Sequence, residues 1–106
     1  MVEQVFAALA DQTRRHVYGE LAAHGPLTAT ALASDLSVSR QAVAKHLNVL
    51  AEAGMASSAK VGRETRYEAI VEPLSEVQQW IGSIENHWQL RLDALAASLH
   101  ATSRHE

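Results

Sequence analysis

Residues 32–50, LASDLSVSRQAVAKHLNVL, leave a chain of this kind the fewest options. Two short stretches with helical spacing of apolar residues flank only three residues, Ser37-Val38-Ser39. Leu32, Leu36, Val38, Val43 and Leu47 can all face one core, and Ala33 is small where the two segments must approach. Ser39 has the chemistry of an N-cap, so the second helix starts there and runs to about Ala53, where Gly54 supplies a stop. Two helices joined by so short a turn have the layout of a helix-turn-helix.

The polar residues of the second helix then acquire a direction. With Val43 at the centre of its buried face, Leu47 and Leu50 lie within about 40° of it, and Gln41, Lys45 and Asn48 fall on the far side. In this motif the N-terminal part of the second helix enters the major groove of DNA. Glutamine can pair bidentately with adenine, and arginine or lysine with guanine. Gln41 and Lys45 are therefore expected to read base edges, with Asn48 on the same face and Arg40 on a base or a phosphate. Ser39 and the first-turn amides can hold a phosphate, because a helix N-terminus attracts anions.

The rest of the chain fits around this unit. Val2–Leu9 reads as a short helix, and Asp11 caps a second one that runs to about His24 and is stopped by Gly25-Pro26. Thr28 caps the first helix of the motif, which ends at Leu36. Beyond Gly54 the period changes: Met55–Lys60 and Thr65–Ile70 are expected as strands around the turn Val61-Gly62-Arg63-Glu64. Lys60, Arg63 and Arg66 make this hairpin a basic arm suited to the DNA backbone or minor groove. Ser75 and Gln78 are expected to form a capping box for a last helix reaching roughly His100, about 37 Å long. The expected fold is mainly α with a small β-hairpin, in the order α-α-α-α-β-β-α. One domain spans residues 1–106: helix-turn-helix at about 28–53, wing at about 55–70, and dimerisation helix at about 75–100.

Composition narrows the function classes. The formal charge of −3 hides an uneven distribution. Residues 37–67 hold Arg40, Lys45, Lys60, Arg63 and Arg66 against only Glu52 and Glu64, while both flanks are net acidic. The chain has no cysteine, which excludes disulfides, thiolate metal sites and a cysteine nucleophile. The start MVEQVFAAL is not a signal peptide and no apolar run reaches membrane length, so a cytoplasmic protein is expected. No Gly-rich phosphate loop, nucleophile elbow or paired-carboxylate spacing points to an enzyme. A winged helix used as a protein-docking module is the main competitor from another class, but such modules usually lose the basic face that is retained here.

Three stretches, ALADQTRRHVYGEL (8–21), LASDLSVSRQAVAKHLNVLAEAGM (32–55) and VGRETRYEAI (61–70), carry a resemblance to the ArsR/SmtB family of winged helix-turn-helix repressors. The shared features are an Asp-x-x-Arg helix start, an HLxxLxxAG recognition helix, and a Gly-Arg wing ending in tyrosine. The resemblance implies an autoregulatory repressor. It places Arg14 near the phosphate backbone or as a brace of the fold. His46 falls at the edge of the recognition helix, as a DNA contact or as a structural ring. The family's metal sensors carry ligand motifs that this chain lacks. Glu85, His87 and His100 only approach the last-helix pattern, and His100 comes two residues late, about 200° around the helix. His16, His24 and His105 are scattered. No metal or other cofactor is expected, and a metal-responsive repressor stays as the alternative within the fold.

The last helix supplies the remaining expectation. Val77, Trp80, Ile81, Ile84, Trp88, Leu92, Leu95 and Leu99 form an apolar stripe along its length. A small domain lacks the core to cover it, so Trp80, Ile84, Trp88, Leu92, Leu95 and Leu99 are expected to pair with a second copy, together with Val5, Phe6 and Leu9 of the first helix. A homodimer implies an operator with an inverted repeat. The expected partners are therefore double-stranded operator DNA and a second copy of the chain, with no membrane. An unidentified small-molecule effector is left open.

Overall fold

The computed structural model describes residues 2–104, with side chains as far as residue 101; His105 lies outside the described residues. The elements are α1 (Val2–Leu9), α2 (Gln12–His24), β1 (Leu27–Thr28), α3 (Ala29–Leu36), α4 (Arg40–Glu52), β2 (Ala56–Val61), β3 (Glu64–Ala69) and α5 (Leu74–Arg104). They fall into two compact units, Met1–Ser75 and Glu76–Glu106.

Three helices of the first unit begin at the side chains expected to start them. Asp11 Oδ1 accepts the Arg14 N–H at 3.0 Å, Thr28 Oγ1 that of Ala31 at 3.1 Å, and Ser39 Oγ that of Ala42 at 3.1 Å. Each satisfies one amide that the first turn leaves unpaired. The turn of the helix-turn-helix closes at Ser37, a left-handed residue with φ 55°, where the Ser37 and Val38 N–H groups both donate to the Ala33 carbonyl. Gly54, at φ 75°, ends α4, and the Met55 N–H reaches back to the Leu50 carbonyl at 2.8 Å.

The core lies among α1, α2, α3 and α4. Ala8, Val17, Leu21, Leu32, Val43, Leu47, Leu50 and Met55 are fully buried, with Val5, Tyr18 and Ala56 nearly so. Val5, expected at the dimer seam, is only 3% exposed and is used inside this core; on α1, Phe6 is exposed and Leu9 half-buried. Tyr18 donates its hydroxyl to the Ile70 carbonyl at 2.8 Å, joining α2 to the end of the hairpin. Burial, reinforced by the Glu72 carboxylate, raises the Tyr18 pKa, so the phenol stays a donor.

The sheet is antiparallel in the order β1-β3-β2. β1 is absent from the sequence reading; it is two residues long, and Thr28 also caps α3, so no alternation marks it. The hairpin strands sit one residue from their expected limits, β2 running to Val61 and β3 from Glu64. Val61 pairs with Glu64, leaving Gly62-Arg63 as a two-residue turn. Gly62 takes φ 65° while Arg63 keeps a negative φ, the arrangement of a type II′ hairpin turn.

The second unit is helical. α5 starts at Leu74, so Ser75 is inside its first turn and not its cap, and the expected Ser75–Gln78 capping box gives way to backbone turns. The Leu74 and Ser75 N–H groups donate to the Val71 and Glu72 carbonyls around Pro73. The helix has 31 residues, about 46 Å, longer than expected. Trp80, Ile84, Trp88, Leu92, Leu95 and Leu99 are between 40% and 64% exposed. The Arg91 guanidinium lies 5.8 Å from the Trp88 ring centre, and Gln89 Nε2 donates to Asp93 Oδ1.

Candidate nucleic-acid interface

The polar face of α4 forms as the helical wheel requires. Val43, Leu47 and Leu50 are fully buried, and Gln41, Lys45 and Asn48 on the other side are exposed. Ser39 and Arg40 at its start are also exposed. The Ser39 hydroxyl is engaged in capping, which keeps the first turn wound and its amides aligned along the helix axis.

A groove of about 660 Å³ separates this first turn from the wing. Arg40, Gln41 and Ala44 form one wall, Arg63, Glu64, Thr65 and Tyr67 the other, and residues 28–31 at the start of α3 close the end. Two cations thus face one open channel from separate elements. The register sorts the hairpin's charges: Lys60 pairs with Thr65, whereas Arg66 pairs with Ala59. Directly opposite residues share a face and successive residues alternate. Lys60 therefore shares the face of Thr65 and Tyr67, which line the groove. Arg66 is on the reverse face, where its guanidinium meets Glu64 at 3.2 Å. The three basic residues expected to act as one arm are thus divided between the tip, the groove face and the back. Thr30, Thr65 and Tyr67 are groove residues that sequence reasoning missed; strand alternation counted from the turn would have found the last two.

Arg14 and His46 lie apart from that groove, on the side of α4 that faces α2. Arg14 is half-buried and donates from Nε to the Ala8 carbonyl at 2.6 Å and from Nη2 to the Ala7 carbonyl at 3.2 Å. Its Nη1 is 3.3 Å from His46 Nδ1. The Arg14 backbone N–H, with smaller help from the Arg14 guanidinium and the Thr13 N–H, holds the Asp11 carboxyl below its ordinary pKa against the opposing effect of burial.

Among the described residues no three His, Asp or Glu side chains come together as a metal cluster. Glu85, His87 and His100 are all on α5, where the two histidines are about 20 Å apart along the axis. Among the described residues no helix is long and apolar enough to cross a membrane.

A helix-turn-helix closed by a basic hairpin defines the winged helix-turn-helix class of DNA-binding proteins. Residues 9–58 match the model of a helix-turn-helix domain family. An uncharacterised HTH-type transcriptional regulator of Bacillus subtilis strain 168, YuzN, is 38% identical over 89 residues, 74% of this chain and 94% of the relative. The transcriptional repressor SdpR of the same organism is 29% identical over 80 residues, 76% of this chain and 88% of the relative. The structure of an ArsR-like transcriptional regulator from Rhodococcus sp. RHA1 superposes with a TM-score of 0.74 at 44% identity, covering 89% of this chain and 88% of that one. A homodimeric winged helix-turn-helix DNA-binding domain from Mycobacterium bovis shares the fold at 20% identity, with a TM-score of 0.64 over 80% of this chain and 78% of that one. The chain belongs to the ArsR-like family of winged helix-turn-helix transcriptional regulators.

Proposed function

We propose that the protein is a repressor that binds an inverted-repeat operator, its own promoter among the targets, as a homodimer in the cytoplasm. It acts by binding alone, without catalysis. The observation that carries this reading is the exposed Gln41–Lys45–Asn48 face of α4, set across an open groove from Arg63. Gln41 and Lys45 read base edges and Asn48 supports them. Ser39, Arg40, Lys60 and Arg63 hold phosphates, and Arg66 adds positive potential from the back of the wing. The body reads DNA, while the α5 stripe and Phe6 pair two chains within one working domain. Support for the dimer comes from the eight large apolar residues that α5 leaves exposed over its length, more than scattered surface residues would account for.

Fluorescence anisotropy with DNA from upstream of its own gene, against scrambled DNA across a salt series, tests this. The expected result is tight, selective binding that weakens steeply with salt. Replacing both Gln41 and Lys45 with Ala is expected to remove selectivity, at roughly 1–3 kcal/mol per lost base contact. Selective binding that survives the double substitution would refute the base-reading assignment.

A further inference from the structure

Arg14 carries a family-like position yet spends its donors inside the protein. Two of them go to the Ala7 and Ala8 carbonyls in the last turn of α1, and Arg15 donates to the next carbonyl, Leu9, at 2.6 Å. Among the described residues the Ala8 and Leu9 carbonyls have no backbone partner at the end of the helix, and the Ala7 carbonyl takes the Ala10 N–H at 3.3 Å as well as Arg14, so the two arginines act as its C-terminal cap. The remaining Arg14 contact, Nη1 to His46 Nδ1, crosses from α2 to the recognition helix α4. A guanidinium can only donate, so Nδ1 must accept. A ring that accepts at Nδ1 holds its single proton on Nε2. No partner of Nε2 occurs among the described residues, and none of their buried side-chain nitrogens or oxygens lacks a partner. Nε2 therefore reaches solvent. His46 is next to Lys45 on α4, about 100° round the helix from it, at the flank of the face assigned to the major groove.

We propose that Arg14 is a positioning residue and not a DNA contact. It ties the end of α1 to the recognition helix and holds His46 in the Nε2–H form, and that N–H donates to a phosphodiester oxygen of the operator backbone. The inference rests on the reading of α4 as the groove-reading helix. It gives α1 a mechanical connection to α4 through one side chain, so a displacement of α1 is felt at the recognition helix. The contact it adds is neutral and independent of base sequence: His46 strengthens binding to any duplex without displacing a counterion of its own.

Two measurements on the full chain test it. Nitrogen-15 NMR of the His46 ring in the free protein at neutral pH is expected to show the proton on Nε2, and Arg14→Gln is expected to give a tautomer mixture. A ring protonated on Nδ1, or on both nitrogens, in the wild type would overturn the strap whatever happens with DNA. In the anisotropy assay, His46→Ala is expected to weaken operator and scrambled DNA by the same factor, about tenfold for one charge-assisted hydrogen bond. The salt slope should not change, and His46→Gln, whose amide nitrogen can occupy the place of Nε2, should restore most of the loss. Arg14→Gln should weaken binding without changing the slope, and adding it to His46→Ala should cost nothing more. A slope that falls by about 0.9 in Arg14→Gln would mark a direct phosphate ion pair and overturn the positioning role. Wild-type binding by His46→Ala would overturn the phosphate contact. Failure of the wild type to bind either DNA would bring down the operator reading, and the ring spectrum alone would still decide the strap.

Discussion

Asp11, Thr28 and Ser39 do the same work for the backbone, but only Asp11 does it with a charge. Its folded pKa is lowered, chiefly by the Arg14 amide, so its contribution to stability is complete above the ordinary carboxylate range. That contribution is lost as the pH falls through the folded value. Asp11→Asn keeps a capping acceptor but removes the charge. Urea denaturation should find the variant less stable than wild type at neutral pH, with the gap closing on acidification; a gap independent of pH would contradict the assignment. Ser39→Ala removes the cap of α4 and should cost about 1 kcal/mol by the same measurement. Leu47, fully buried next to His46, belongs to a different class: Leu47→Ala should cost about 2–5 kcal/mol, because the transfer and cavity penalties add.

At the scale of elements, the wing and α5 show how much a register or a periodicity decides. Lys60 and Arg66 look equivalent as basic residues in a hairpin, but their pairing with Thr65 and Ala59 puts them on opposite faces. Arg63→Gln at the tip is therefore expected to lower the salt slope of DNA binding by about 0.9, the release of one counterion, whereas Arg66→Gln should change it less, since Glu64 already offsets part of that guanidinium's charge. Equal slopes for the two variants would refute the division of the hairpin. α5 exposes Trp80, Trp88 and Leu95 to more than half of their full extent. A chain ending at Val71 should sediment as a monomer while the intact chain sediments as a dimer, and a truncated chain that remains dimeric would move the seam away from α5.

For the whole molecule, the proposed two-fold pairing has a consequence on DNA. Footprinting of the operator should show two related half-sites on one face of the duplex, about 10–10.5 base pairs between centres or a multiple of that. A single protected half-site would argue for a monomeric reader. Much of this organisation was legible in the residues: the caps at Asp11, Thr28 and Ser39, the glycine stops, the three-residue turn and the far-side polar face of α4 all follow from local chemistry within one or two turns of chain. What was not legible depends on neighbours distant in sequence. Val5 has the spacing of a seam residue, but packing of α1 on the body buries it. β1 exists only because Leu27 and Thr28 meet Tyr67 and Arg66. The groove exists only because the turn at Gly62 returns the chain to face Arg40. Arg14 and His46, 32 positions apart, meet across two helices. Sequence by itself determined where α2, α3 and α4 start and stop and which face of α4 is polar, since capping and helical period act over a few residues. Tertiary structure decided which surface each remaining side chain meets, because packing and strand register are set by contacts that no local pattern encodes.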